Sequence, residues 1–145
     1  MKPEKMTGLE LMQAMVEGAV PHPPIAETVP MRGVSAQWGR VVFLVQADQR
    51  HLNPLGGVHG GFAATVLDSV TACAVHTTLD AGAGYATIDL NVKMIRPIPL
   101  GTELTAEGTV LSVTRSLGIA EGRIQDESGT LYAFATATCM IMAPR

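Results

Sequence analysis

Apolar and polar positions change their spacing several times along the chain, and each change marks an element. At the start, Leu9, Met12 and Val16 recur at helical spacing behind Thr7-Gly8-Leu9-Glu10. That tetrad is a capping box, in which Thr7 caps the helix and Glu10 reaches back. The pattern predicts a short amphipathic helix that stops at Gly18. The next stretch, VPHPPIAETVP, is cut by prolines that remove donors and fix the backbone, so it reads as a linker without regular structure. Two strands follow over about 31–37 and 40–48, the second on RVVFLVQA, with Gly39 at the turn between them.

From about His59 to Leu79 the chain is apolar nearly all round, with Phe62, Ala63, Ala64, Val66, Leu67, Val70, Ala72, Cys73, Ala74 and Val75. Such a helix is wrapped by its neighbours rather than laid on a surface. After DAGAG the period drops to two. In ATIDLNVKM, Ala86, Ile88, Leu90, Val92 and Met94 alternate with Thr87, Asp89, Asn91 and Lys93, which predicts one buried and one polar face. RPIPLG breaks the run, and TELTAEGTVLSVTR, GIAEGRIQD and TLYAFATATCMIM continue as strands. The last two flank ESG, a hairpin signal with Gly129 supplying the positive φ. Leu131, Ala133, Ala135, Ala137, Cys139 and Ile141 form a second alternating stripe. The expected class is α+β: a curled antiparallel sheet of about six strands around one long central helix, plus a short N-terminal helix. Residues 1–145 read as one domain, of which 1–24 are the N-terminal helix and Pro-rich linker.

Composition adds an interface. Hydrophobic residues make up 47% of the 145 and charged ones 16%, few charges for covering a small surface. A large contact between copies would hide the excess, so an oligomer is expected. A net charge of −3, with Lys and Arg scattered, argues against nucleic acid as a partner. The N-terminus lacks the charged and apolar regions of a signal peptide. The stretch nearest to membrane length, about 60–79, contains Asp68 and several Thr and Ser, so it reads as a buried helix and no membrane partner is expected. Cys73 and Cys139 sit in apolar segments without a CxxC spacing, as core thiols of a cytoplasmic protein would.

The candidate chemistry lies in HLNPLGGVHGGFAATVLDSV, residues 51–70. Gly60 and Gly61 follow His59 at a helix entry, where free N–H groups carry partial positive charge and glycine admits a close approach. They read either as an oxyanion site for a carbonyl or as glycines needed for tight helix–sheet packing. Asp68, inside the apolar helix, reads either as a structural carboxylate bonded to Ser69 or Thr71, or as a general base or nucleophile in a partly apolar cleft. Asp68 lies nine residues after His59, roughly 13 Å along a helix and roughly on its opposite face. It cannot share a small substrate centre with the Gly60 amide of its own chain. If both act, they must meet across a two-fold interface. Asn53 and His59 could hydrogen-bond a carbonyl, a water or loop backbone. His51, His59 and Asp68 match no HxxxH or HExxH spacing, and GxSxG, GxGxxG and phosphate-loop patterns are absent, so no metal or organic cofactor is expected.

NPLGGVHGGFAATVLDSV, YATIDLNVKMIRPI and VTRSLGIAEGRIQDESGTLYAFATATCMI together resemble the hotdog-fold acyl-CoA thioesterases of the phenylacetic-acid degradation (PaaI) type. The shared pattern is an Asn, a His-Gly-Gly entering the central helix, an acid nine residues after the His, and a Thr- or Ser-containing strand that ends in Arg-Pro. It spans roughly residues 25–142. The resemblance implies that Asp68 activates water or attacks the thioester carbonyl and that the Gly60 N–H stabilises the oxyanion. Asn53 would hold the thioester or the water, His59 would support that loop, and Thr87 would orient the water. It also implies paired protomers, with two sites built from both chains and coenzyme A entering as part of an acyl-CoA substrate. Arg96 and Arg115, with Lys93 and Arg123, are candidates for its phosphates. Gly61, Phe62, Leu67, Thr71 and Met94 are candidates for shaping the substrate pocket. The leading expectation is therefore hydrolysis of an aryl or medium-chain acyl-CoA to free acid and CoA by a homodimer or dimer of dimers. The alternatives are a hotdog acyl-thioester hydratase or dehydratase, and a non-catalytic acyl-CoA-binding module.

Overall fold

Helix α1 (Gly8–Val16) opens the fold as the capping box requires: Thr7 Oγ1 accepts from the Glu10 N–H at 3.2 Å, and Glu10 Oε2 accepts from the Thr7 N–H at 2.8 Å. The computed structural model describes residues 2–144. The Pro-rich segment departs from expectation, because a single helical turn, α2 (Ile25–Thr28), forms inside it. Its prolines flank the turn instead of interrupting it. Pro24 stands at the N-cap, where no donor is needed, and Pro30 follows the end.

Strands β1 (Met31–Gln37) and β2 (Arg40–Gln46) form the first hairpin. The central helix α3 spans Gly60–His76, a length of about 25 Å. Strands β3 (Gly84–Met94), β4 (Glu103–Val113), β5 (Leu117–Gln125) and β6 (Leu131–Met142) complete one six-stranded antiparallel sheet in the order β1-β2-β4-β5-β6-β3. The β5–β6 hairpin turns where expected, with Gly129 at φ 83°. β1 and β3 are the sheet edges.

The sheet curls around α3. Val66, Leu67 and Val70 pack on Val41, Val45, Leu104, Ile124 and Ala135 in the main core. The stripe predicted for β6 holds: Ala133, Ala135, Ala137 and Cys139 are all buried. Glycine on β4 sets how close the helix can lie. A Cβ on Gly108 would fall 2.0 Å from the carbonyl oxygen of Val70, so helix and strand meet backbone to backbone there.

The alternation predicted for β3 is broken by a bulge. Thr87 pairs with Cys139 and Asp89 with Thr138, which leaves Ile88 without a partner on β6. The phase of the strand shifts at that point. Thr87 joins buried Cys139 on the inner face, while Ile88, expected in the core, is 58% exposed. Downstream, Leu90 and Val92 return to the core side.

Candidate active site

After a 3-10 turn at Gln49–His51, the chain from Leu52 to His59 is a loop that tightens by its own side chains before α3 begins. Asn53 Oδ1 accepts from the N–H groups of Leu55 at 2.9 Å and Gly57 at 3.2 Å, closing a turn. That fixes the amide orientation and leaves Nδ2 as a donor. His51 is consumed structurally: Nδ1 accepts from the Asp48 N–H at 2.9 Å, and Nε2 lies 2.7 Å from the Thr28 carbonyl oxygen. Its ring packs on Phe62, with ring centres 5.1 Å apart.

His59 is the N-cap of α3, and its Nδ1 accepts from the Gly61 N–H at 2.8 Å. An acceptor Nδ1 leaves Nε2 as the protonated nitrogen of the neutral ring. Gly61 is needed for this cap, because a Cβ there would stand 2.9 Å from His59 Nδ1. The two glycines therefore differ. The Gly61 N–H is taken, whereas that of Gly60 has no hydrogen-bond partner among the described residues.

Asn53, His59 and Gly60 line a cleft of about 540 Å³, closed on the far side by Met94, Arg96 and Tyr132. Among the described residues, no Asp or Glu lines it. The cleft is thus a wall of donors at a helix N-terminus, suited to a carbonyl oxygen that gains negative charge. Met94 lies over Gly60, where a Cβ would come within 2.7 Å of its sulfur. The Arg96 guanidinium donates to the Leu131 carbonyl at 2.7 Å, which holds it beside the cleft. Arg115 sits on the β4–β5 turn, at the end of the sheet where α3 finishes, so one chain does not bring the two arginines together.

Asp68 stands eight residues beyond Gly60, about 12 Å further along α3. Its Oδ1 is buried and has no hydrogen-bond partner among the described residues. The hydroxyl that could have satisfied it is used elsewhere: Thr71 donates to the Leu67 carbonyl at 2.7 Å and to the Asp68 carbonyl at 3.1 Å, not to the carboxylate. The structural reading of Asp68 as bonded to Thr71 fails on this geometry. Around it lie Cys73, Tyr85 and Cys139. Burial, then the Asp68 charge, push the Cys73 thiol up to about 12. Burial chiefly, with neighbouring Cys73, Cys139 and Asp68, also raises the Tyr85 phenol. Burial raises the Cys139 thiol, against which Thr87 works through a 3.8 Å contact between Oγ1 and Sγ. The bulge in β3 is what turns Thr87 toward this group.

Phe62, Leu67 and Thr71 do not line this cleft. They are buried in the core, Phe62 against His51 and the other two beneath Gly122. Their helix faces point into the chain's own sheet, a direction that periodicity on an all-apolar helix could not give. Among the described residues no cluster of His, Cys, Asp and Glu is suited to a metal ion, and no helix is long and apolar enough to cross a membrane.

A second cavity, of about 290 Å³, lies under α1 and α2. Leu11, Met15, Ile25, Met31 and Phe43 are among the residues of its wall. From α3 it is lined by Ser69, Cys73 and His76, and Tyr85 closes it from β3. None of this was legible in the sequence, since the cavity joins residues from six separate elements.

Residues 55–133, more than half of the chain, match the family model of the thioesterase superfamily. The chain belongs to the thioesterase superfamily. Human acyl-coenzyme A thioesterase 13 is 31% identical over 84 residues, which cover 58% of this chain and 59% of that protein. The chain spans about three fifths of the length of the acyl-coenzyme A thioesterase 13 relatives it matches. Among solved structures, a phenylacetic acid degradation-related protein from Ralstonia eutropha JMP134 superposes with a TM-score of 0.80 at 33% identity, covering 89% of this chain and 98% of that one. The E. coli PaaI protein has the same fold at 17% identity, with a TM-score of 0.80 over 92% of this chain and 94% of its own. The superfamily's hotdog fold is the fold expected from the resemblance, and the matched segment runs from the Asn53 loop through α3 into β6.

Proposed function

We propose that this superfamily member hydrolyses an acyl-coenzyme A thioester to the free acid and coenzyme A, in a site built from two copies of the chain. One observation carries the reading: a buried, unpartnered carboxylate oxygen on Asp68 and an unpartnered N–H on Gly60, held about 12 Å apart on one rigid helix. Each is costly or wasted alone. Together they are the two halves of an acyl-transfer site, a base or nucleophile and an oxyanion donor.

Two-fold symmetry supplies the join. An axis passing near Ala64 and Thr65, midway between them, brings Gly60 of one copy opposite Asp68 of the other, and does so twice. Two features support such an axis. The face of α3 carrying Gly61, Ala64, Thr65 and Asp68 is the one its own sheet leaves only half-buried. Beside it, β3 is an eleven-residue edge strand with open backbone groups and Ile88 exposed, a ready partner for its own copy.

In this site the thioester oxygen sits on the Gly60 N–H, with Asn53 Nδ2 and His59 Nε2 alongside. Asp68 takes a proton from water as the water oxygen attacks the carbonyl carbon, or attacks that carbon itself and is released by water. The C–S bond breaks, and the coenzyme A thiolate leaves and is protonated by solvent. Thr87 orients the attacking water. Arg96, beside the cleft, is placed for the phosphates of coenzyme A, and Arg115 of the other copy is the second candidate. A cytoplasmic setting fits the two free cysteines.

The test is thiol release from a panel of aryl and medium-chain acyl-CoAs, with Asp68→Asn in parallel and light scattering for the assembly. Thiol release by the wild type, lost in the variant, from a dimer or larger species supports the reading. Full activity in Asp68→Asn, no release from any acyl-CoA, or a monomer at micromolar concentration overturns it.

A further inference from the structure

A reactive atom that the hydrolysis just described does not use lies over Gly60. Met94, the last residue of β3, lines the cleft and is 57% exposed. A Cβ on Gly60 would fall 2.7 Å from its sulfur and 2.8 Å from its methyl carbon. With ordinary bond lengths the sulfur is then no more than about 5 Å from the Gly60 nitrogen. That N–H has no hydrogen-bond partner among the described residues. We propose that Met94 is a reversible oxidation site: a peroxide converts its thioether to the sulfoxide, whose oxygen takes the Gly60 N–H and shuts the oxyanion position. The loss of turnover rests on the thioesterase reading, whereas the bond between sulfoxide and amide does not.

The switch is a change in acceptor strength. A thioether sulfur accepts hydrogen bonds weakly, so the reduced side chain leaves the N–H to a substrate carbonyl. In the oxidation by hydrogen peroxide the sulfur lone pair attacks one peroxide oxygen, and the S–O bond forms as the O–O bond breaks. The other oxygen leaves with both protons as water. Sulfur loses two electrons and the peroxide gains them. The product is polar, with an oxygen acceptor where the side chain had none. That oxygen is tethered beside the amide, so it competes with a diffusing carbonyl as an intramolecular group. It also faces the partial positive charge at the start of α3.

Position singles out Met94 among the methionines. Met12 and Met31 are buried. Met140 and Met142 are 42% and 43% exposed, but they pair with Ala86 and Gly84, at the other end of β3 from Met94. An oxygen added there is remote from the cleft. Any approach that admits a thioester to Gly60 admits the much smaller peroxide to the Met94 sulfur. The thiols are poorer targets: Cys139 is buried, and Cys73 keeps its proton, its pKa pushed up to about 12 chiefly by burial.

The experiment treats the wild type, Met94→Leu and Met140→Leu with hydrogen peroxide. After desalting, thiol release from the acyl-CoA panel is measured and each sulfoxide is located by peptide mass mapping. Each protein is referred to its own untreated rate. The wild type and Met140→Leu should lose turnover as Met94 sulfoxide accumulates, by about 10²-fold at complete oxidation, the size of one lost oxyanion donor. Methionine sulfoxide reductases A and B with dithiothreitol should restore it, and dithiothreitol alone should not. Met94→Leu should keep most of its own rate through the same treatment. Met94 left unoxidised, full turnover with Met94 oxidised, recovery with dithiothreitol alone, or Met94→Leu as sensitive as the wild type overturns the proposal and leaves the hydrolase reading intact. If the untreated wild type releases no thiol, the hydrolase reading fails instead, and the Gly60 amide decides. A downfield shift of its proton in nitrogen–proton correlation spectra of the oxidised protein, absent from treated Met94→Leu, upholds the bond, and an unmoved resonance overturns it.

Discussion

Replacing Asp68 by alanine should make the protein more stable and inactive at once. Oδ1 of Asp68 is buried without a partner, and such an atom costs about 1–3 kcal/mol relative to a satisfied or hydrated one. Alanine removes that penalty and adds roughly 0.5 kcal/mol of helix preference at an interior position. Against this stands the loss of the carboxylate's van der Waals contacts, on the order of 0.5–1 kcal/mol for so short a side chain. The net expectation is a gain of about 1–2 kcal/mol, which for a chain of this length raises Tm by about 3–6 °C. Thiol release should fall by about 10² or more, because a general base or nucleophile is gone. The assay is thermal unfolding by calorimetry at matched protomer concentration, since association itself shifts Tm, alongside the acyl-CoA turnover rate. A lower Tm in Asp68→Ala would refute the reasoning, for it would mean that the carboxylate is held by a partner and belongs to the scaffold. A higher Tm with full turnover would refute the assigned role.

Three further outcomes follow from the same geometry. Gly61→Ala should force the His59 ring off its cap, because the new Cβ would stand 2.9 Å from Nδ1; the urea midpoint should report a loss of about 1 kcal/mol, with little further loss on adding His59→Ala. Ile88→Lys, on the exposed bulge of edge strand β3, should shift the species seen by light scattering toward monomer and lower turnover with it, whereas an unchanged assembly would count against β3 as the join. Stability should also fall with rising pH between about 9 and 12. Cys73 keeps its proton to about 12 when folded but loses it near its ordinary value of 9.0 when unfolded, so its contribution is complete below 9.0 and is lost as pH rises through that window. Denaturation midpoints from pH 8 to 10.5 should show a shallower slope in Cys73→Ala, and identical slopes would contradict the burial of that thiol.

How much of this was legible in the chain depends on how local each feature is. The α1 capping box, the Gly129 hairpin and the β6 stripe are local, and each is found where the pattern predicts. The helical turn at Ile25–Thr28 was hidden, because the flanking prolines that signal a linker also permit one turn between them. The alternation on β3 pointed Ile88 inward and Thr87 outward. A bulge reverses both, and a bulge is a property of pairing with β6 that no spacing within β3 records. On α3 the residue types were plain but the faces were not. With apolar residues nearly all round, nothing in the sequence separates Leu67 and Thr71, packed into the core, from Asp68, on the face left half-buried.

The amino-acid sequence by itself determined the elements, the family pattern, and the fact that Gly60 and Asp68 stand too far apart on one helix to meet. Those are consequences of residue type and of the fixed rise of a helix, which apply before any tertiary contact forms. Only the tertiary structure decided that Gly61 serves the His59 cap while Gly60 stays free, that Thr71 turns its hydroxyl to the helix backbone and leaves Asp68 without a partner, and that a second cavity opens beneath α1 and α2. Each depends on which side chain reaches a hydrogen-bond partner or a void first. That competition is settled by packing among segments distant in sequence, so it cannot be read from any one of them.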